Sequence, residues 1–406
     1  MRYDFDKLVN RRGSDCAKWD EAAEGVLPLW VADMDFETAP CIVEALRKRV
    51  EHGVFGYSLV PETFYERIVW WNLHRHGWDI RREWIQYTSG VVPAISAIIK
   101  GLCQPGDGVL TFTPAYNCFF SSIRNNQCRL VDFPLTWSPA EERYSVDFQA
   151  LEQTLSAERP RLFLLCNPHN PSGRVWTAEE LMRMAALCQQ YGVIVLSDEI
   201  HCEFVNPELG RRFLPFAPIA QQVGCQWVVT NAPNKAFNTA GLQISYIVCP
   251  DESFRQRIDR AINDNEVCDV NVFSFLALQA AYTPEGEEWL QQLVAYIYEG
   301  YRQFRLTLKA AFPHLPIAHL EGTYLAWLDV SSLNLSSQAL AEQILSHQQL
   351  WINAGELYGQ PGFLRVNLAT QHARLEEATR RLVEGLEFSK CGESLWSERR
   401  VESYTG

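Results

Sequence analysis

The strongest constraint on how this chain folds is an alternation. Between about residues 85 and 250, six short apolar runs (IQYTSG, GVLTFTP, RLFLLCNP, GVIVLSDEI, QWVVTNAP and ISYIVCP) are separated by longer stretches with apolar residues at helical spacing. Runs that are apolar at nearly every position read as strands buried on both faces, and helical connections between them call for a mostly parallel sheet sandwiched by helices. The helical stretches are VVPAISAIIKGLC, TAEELMRMAALCQQYG and the segment after Thr239. In the second, Thr177 and Glu180 form a capping-box pattern and Gly192 is the stop. The expected fold class is α/β.

Past Pro250 the pattern changes to long helices, ESFRQRIDRAINDN and then EEWLQQLVAYIYEGYRQFRLTLKAAF, the latter suited to joining two domains. TYLAWLDV and GFLRVNLA follow as strands, with SSQALAEQILSHQQ as a helix between them. We expect a large domain over 51–285 and a small α/β domain over 286–406. The N-terminal segment, 1–50, is too short for a core of its own and is expected to join the small domain. The final CGESLWSERRVESYTG lacks periodicity and reads as a mobile tail.

Composition narrows the partners. Apolar residues make up 47 % and charged residues 21 %, as in ordinary soluble domains. The net charge of −13 and the lack of a long basic run argue against nucleic acid and against an anionic membrane surface, leaving small molecules. The twelve cysteines contain no CxxC pair, which excludes the common zinc and thioredoxin spacings. His74 and His76, in WNLHRHGW, read as a helix end, and we expect no metal. MRYDFDKLVNRRGSDCAKWD has no apolar core of a signal peptide, and no run of 18 apolar residues exists, so we expect a cytoplasmic protein with free thiols. The thirteen tryptophans mostly fall in apolar patterns and are expected in the core or an interface.

In an open parallel sheet ligands gather beyond the carboxyl ends of the strands. There the chain offers Gly90, Val91 and Val92 opening a helix, then Tyr116, Asn167 and Asn170, Asp198, and Lys235. Each has an ordinary structural reading alone: a turn, a cap, a core ion pair or a surface charge. Backbone N–H groups at Gly90 suit a phosphate. Asp198 at the end of a buried run needs a cationic partner. Lys235, in a loop after a buried strand, would be a desolvated and hence nucleophilic amine. An aldehyde cofactor requires an amine, a carboxylate for its ring nitrogen, a donor for its phenolic oxygen, an aromatic face and a phosphate cradle. All five occur on successive strand ends, which points to pyridoxal 5′-phosphate (PLP).

Several motifs carry a resemblance over nearly the whole chain: PLWVADMDF at 28–36, FGYS at 55–58, NPHNPSGRVW at 167–176, SDEIHCEF at 197–204, APNKAFNTAGL at 232–242, EGTYLAWLDV at 321–330 and GFLRVNLA at 362–369. The chain resembles the fold-type I PLP enzymes of the aminotransferase class I/II superfamily, and within it the MalY/PatB-type carbon–sulfur lyases. The resemblance implies that Lys235 is the Schiff-base lysine, Asp198 the partner of the pyridinium nitrogen and Asn170 the donor to the phenolic oxygen, with Asn167 beside it. His201 stands where aminotransferases usually have a tyrosine near that oxygen. Tyr116 would stack on the ring, the Gly90-Val91-Val92 backbone would cradle the phosphate, and Arg365 would fork onto the substrate carboxylate. Trp30 and Ala32 lie in a stretch that, by resemblance, folds over the active site against substrate. Tyr57 would reach a phosphate across the interface of a homodimer with shared active sites.

One departure matters. Where many aminotransferases have GLRxG, this chain has GLQIS, so Gln243 replaces a phosphate-binding arginine. The resemblance therefore implies an amino-acid substrate and α,β-elimination of L-cystathionine or a related cysteine S-conjugate. Transamination is the alternative, followed by a PLP-binding regulatory protein with weak catalysis.

Overall fold

The computed structural model describes residues 3–264, 269–333 and 335–391. Cys268 and the stretch after Cys391 lie outside the described residues. Seven strands form the central sheet: β1 (Ile85–Thr88), β2 (Gly108–Thr113), β3 (Arg129–Pro134), β4 (Leu162–Cys166), β5 (Ile194–Asp198), β6 (Trp227–Asn231) and β7 (Ser245–Val248). Their spatial order is β1-β7-β6-β5-β4-β2-β3. β7 runs antiparallel to both neighbours and the other pairings are parallel. Every residue of β2, β4, β5, β6 and β7 is buried, which is why these segments read as mostly apolar runs without alternation.

Two sequence expectations need correction. β3 was not among the six runs, because Arg129, Leu130, Asp132 and Pro134 are exposed and only Val131 and Phe133 face the core. It is an amphipathic edge strand, and a search for continuous hydrophobicity passes over it. The segment after Thr239 is a single 3-10 turn, Ala240–Leu242, rather than a helix. Asn238 and Gln243 both adopt positive φ there, and two left-handed residues around a glycine leave no room for an α-helix. The capping box is present as expected: Thr177 and Glu180 bond reciprocally at the start of Ala178–Tyr191, and Gly192 ends it at φ 69°.

After the 28-residue helix Pro284–Ala311 comes a second, three-stranded antiparallel sheet of β8 (Leu325–Asp329), β9 (Asn353–Ala354) and β10 (Phe363–Asn367), with β10 in the middle. Arg365 sits opposite Trp327 on one side and Asn353 on the other.

The N-terminal segment is tied down at several points. Leu27–Pro28 pairs in parallel with Leu350–Trp351, while the helix Pro40–His52 packs on Val272–Ala281. Its charge is partly internal. Lys18 is 1 % exposed and lies 3.0 Å from Asp35, which also accepts from Arg11 and from the Trp19 indole. A buried carboxylate persists because it is paired and hydrogen-bonded.

Candidate active site

Strand register brings the strand ends level: Cys166 of β4 faces Asp198 of β5, which faces Thr230 of β6. The polar residues that follow each strand therefore converge at the carboxyl edge. β2 and β4 are adjacent in space while β3 lies outside β2, so this edge includes the point where strand order reverses, the usual ligand position in such sheets.

Asp198 is 3 % exposed and its carboxylate accepts from the Ile200 backbone N–H at 3.1 Å. Burial raises its pKa to about 7, offset only in part by that N–H and by Lys235. The neighbouring Glu199, held by Ser197 and the Phe216 N–H, is raised by burial to about 8. Lys235 lies in the turn after β6 and donates to the backbone carbonyl of Ala32. Some of its side chain is open to solvent, but its amine is enclosed. Burial first and Arg365 second lower its pKa to about 8, against the opposing pull of Asp33, Asp198 and Cys118.

Arg365 is 4 % exposed on β10. It donates to the Trp30 carbonyl at 2.9 Å and to Asn170 Oδ1 at 3.3 Å, and its guanidinium lies 4.5 Å from the centre of the Tyr358 ring. Asn167 donates to the Leu214 carbonyl at 3.0 Å. His201 is 2 % exposed and is kept neutral by burial, reinforced by Lys235 and Arg365. Tyr116 caps the helix Asn117–Asn125, and burial raises its phenol pKa, with Cys118 adding to the effect. Gly90 precedes the helix Val91–Leu102, whose first turn has no side-chain cap, leaving N–H groups of that turn without intrahelical partners.

Residues 30–36 form a strap in which every backbone carbonyl is held by side chains. Trp30 O accepts from Asn353 and Arg365, Val31 O and Asp33 O both accept from Asn367, and Ala32 O accepts from Lys235 and Tyr324. Met34 O accepts from Arg11 and Asn238, Asp35 O from Gln371, and Phe36 O from Asn238. The Trp30 ring stacks on Trp351 at 4.7 Å. Seven consecutive carbonyls thus depend on side chains from distant parts of the chain.

The strap, Lys235, Arg365 and Asn170 form one connected hydrogen-bonded group, and its cations are felt beyond it: Lys235 at Asp198 and His201, Arg365 at His201 and Tyr116. Tyr57 stands apart: it is fully exposed in the extended segment between Pro40–His52 and Glu62–His76. The sequence reading missed Tyr324, Asn238, Asn353 and Asn367. Only Asn367 left a signal, two residues beyond Arg365 and so on the same face of its strand. His76 ends its helix as expected, and with Cys202 and Glu203 it forms a group of metal-ligating types. Glu203 already accepts from Arg75 and the Trp71 indole, and the guanidinium opposes a cation there.

Five buried polar atoms among the described residues of this region have no hydrogen-bond partner: Trp30 Nε1, Asp33 Oδ1, Asn167 Oδ1, His201 Nδ1 and Arg365 Nε. Such atoms are costly when left unpaired, and their concentration around one lysine marks a site shaped for a polar ligand.

The chain is similar along almost its whole length to known proteins. The chain is 36 % identical over 385 residues to cystathionine beta-lyase PatB of Bacillus subtilis (strain 168), covering 93 % of this chain and 98 % of that one. It is 33 % identical over 393 residues to protein MalY of Escherichia coli (strain K12), covering 95 % and 99 %. The crystal structure of cystalysin from Treponema denticola, which contains PLP, superposes with a TM-score of 0.90 at 31 % identity, covering 95 % of this chain and 99 % of that one. A family model for aminotransferase class I and II matches residues 24–382, and with it the strands, the strap and every candidate site residue: the chain belongs to that family.

Proposed function

We propose that this protein is a PLP-dependent carbon–sulfur β-lyase of the cystathionine β-lyase type. It converts L-cystathionine or a related cysteine S-conjugate, by α,β-elimination, to a thiol, pyruvate and ammonia. The observation that carries the reading is an enclosed Lys235 amine whose charge is felt at a buried Asp198 carboxyl, which forms no salt bridge among the described residues, together with the unpartnered polar atoms of Trp30, Asn167, His201 and Arg365. PatB and cystalysin, similar along almost their whole length, support the reaction class.

The residues present fit the cofactor. Asp198 would hold its ring nitrogen, Asn170 and His201 its phenolic oxygen, Tyr116 its ring face, the Gly90-Val91-Val92 backbone its phosphate, and Lys235 its aldehyde carbon. Bound there, the cofactor supplies an electron sink for the charge left on the substrate α-carbon. Arg365 grips the substrate α-carboxylate with two parallel N–H bonds, which a planar guanidinium makes and an ammonium does not. Lys235 Nζ takes the proton from the α-carbon, a task suited to an amine whose pKa burial has brought near the working pH. The sulfur on the β-carbon departs as a thiolate. The strap of residues 30–36 keeps bulk water from the amine during that transfer.

Two finer features belong to the same reading. The protein acts as a homodimer in which Tyr57 serves the partner subunit's phosphate. The exposure of Tyr57 together with Val54, Phe55 and Leu59 supports this, since such an apolar run is usually covered. The ten cysteines whose side chains are described are all free thiols, which supports a cytoplasmic setting. No described helix is long and apolar enough to cross a membrane.

The deciding assay incubates the PLP-loaded protein with L-cystathionine and, separately, with an amino acid plus 2-oxoglutarate. Pyruvate and free thiol without glutamate establish the lyase; glutamate alone makes the protein an aminotransferase.

A pH dependence follows from the buried carboxyls. In the folded, cofactor-free chain Asp198 and Glu199 keep their protons up to about pH 7 and 8, whereas unfolded carboxyls ionise near pH 4. Their stabilising contribution is complete below that and is lost as pH rises through 7 and 8. The buried neutral histidines His169 and His201 act oppositely, but only up to their ordinary 6.5. Melting temperature of the cofactor-free protein should therefore fall between about pH 6.5 and 8, and PLP should flatten the fall by giving ionised Asp198 a cationic partner. A flat profile without cofactor, measured by differential scanning fluorimetry, would remove Asp198 from this role.

A further inference from the structure

Tyr324 belongs to EGTYLAWLDV, and the reaction described above leaves it without a task. Its side chain is completely buried, and its hydroxyl donates to the Ala32 carbonyl at 3.0 Å. That same carbonyl accepts from Lys235 Nζ. We propose that Tyr324 is a positioning residue for Lys235: its hydroxyl fixes and shares the carbonyl oxygen at which the free amine docks. The inference rests on the reading of Lys235 as the reacting amine.

The geometry leaves the shared oxygen little freedom. The carbonyls on either side of it, Val31 and Asp33, are both held at 2.6 Å by Asn367 Nδ2. The Tyr324 ring is wedged edge-on against Phe204 at 4.8 Å and against His201 at 6.0 Å. Its own backbone carbonyl accepts from the Leu368 N–H at 2.9 Å. Burial raises the phenol pKa, with Asp33 adding to the effect and Arg365 opposing it, so the hydroxyl remains a donor at any physiological pH. A carbonyl oxygen has two lone pairs and accommodates both donors.

The consequence concerns the proton on Lys235. An ammonium gains more from a carbonyl acceptor than a neutral amine does, because the hydrogen bond is charge-assisted. An oxygen that already accepts from Tyr324 is a poorer acceptor, so sharing favours the unprotonated amine. The charged and titratable groups facing Lys235 are Arg365 from β10, Asp33 from the strap, Asp198 from β5, Cys118 from Asn117–Asn125 and the neutral His201. Tyr324 acts on this background without adding a charge. In the catalytic cycle it would return the freed amine to one place and keep it basic but uncharged.

The test uses the cofactor-free full chain and follows the rate of PLP uptake, by growth of the visible absorption band, as a function of pH. Only the unprotonated amine attacks the aldehyde, so the midpoint of this profile reports the proton on Lys235. Tyr324→Phe removes the hydroxyl and leaves Ala32 O still bonded to Lys235, so no buried acceptor is orphaned and the fold should persist. The midpoint should rise by about 0.5–1 pH unit, the worth of roughly one hydrogen bond. Tyr298→Phe is the control: it deletes a similarly buried hydroxyl that donates to the Thr323 carbonyl, one residue away, and should leave the midpoint in place. An unmoved midpoint in Tyr324→Phe, or an equal shift in both variants, overturns the proposal. A wild-type protein that develops no visible band overturns instead the reading of Lys235 on which it stands.

Discussion

Replacing Lys235 with alanine should leave a folded protein that neither fixes PLP covalently nor eliminates sulfur. The amine has two jobs in the proposed reaction, holding the cofactor aldehyde and moving the α-proton. Loss of a positioned general base alone costs about 10²–10⁴ in rate, and loss of the covalent attachment adds to it, so kcat/KM should fall by at least about 10⁴. Stability should not suffer. Lys235 is enclosed with its charge disfavoured, as its lowered pKa shows, and alanine removes an unfavourable burial rather than a favourable contact. The substitution does free the Ala32 carbonyl, but Tyr324 still donates to it. Pyruvate release gives the activity, and borohydride treatment followed by mass measurement gives the attachment. Retention of the cofactor mass after reduction of Lys235→Ala would place the attachment on another amine and undo the site.

The large sheet was legible because five of its strands are buried at every position, so that few polar residues interrupt their apolar runs. β3 was hidden by the same physics: at the sheet edge, half its side chains face water and the continuous run disappears. The antiparallel insertion of β7 between β1 and β6 was illegible from local pattern, since burial looks alike in both directions. Candidate residues at strand ends were legible because topology predicts where ligands sit, and their order along the chain needed no knowledge of distance. The strap was a different matter. Its conformation is enforced by Asn238, Asn353, Asn367 and Gln371, which lie some 200 to 340 residues away in sequence. Amides are common in loops and turns, so of the four only Asn367, on the same strand face as Arg365, left a signal before the fold brought them to the carbonyls. Lys18 gave no sign of burial within a charged N-terminus, yet Asp35 and Asp33 draw it inside.

The second large effect should come from Asp198→Asn, and it should separate stability from activity. In the cofactor-free fold the Asp198 carboxyl is buried and holds its proton up to about pH 7. Asparagine resembles that protonated form in shape, and its amide oxygen can accept the Ile200 N–H that Asp198 accepts at 3.1 Å. The variant should therefore be at least as stable as the wild type near pH 8, with the fall in melting temperature above pH 6.5 reduced to the share contributed by Glu199. With PLP the balance reverses. An amide cannot hold a proton on the ring nitrogen, and breaking a buried charge pair costs about 3–5 kcal/mol, which corresponds to roughly 10²–10⁴ in rate. We expect kcat for elimination to fall by about 10³, PLP affinity to weaken and Lys235 to remain competent to capture the aldehyde. A stable, colour-forming and nearly inactive Asp198→Asn is the expected result, assayed by melting, absorption and pyruvate release together. A variant that keeps wild-type turnover would mean that the buried carboxyl holds something other than the ring nitrogen, and the cofactor would have to be placed elsewhere.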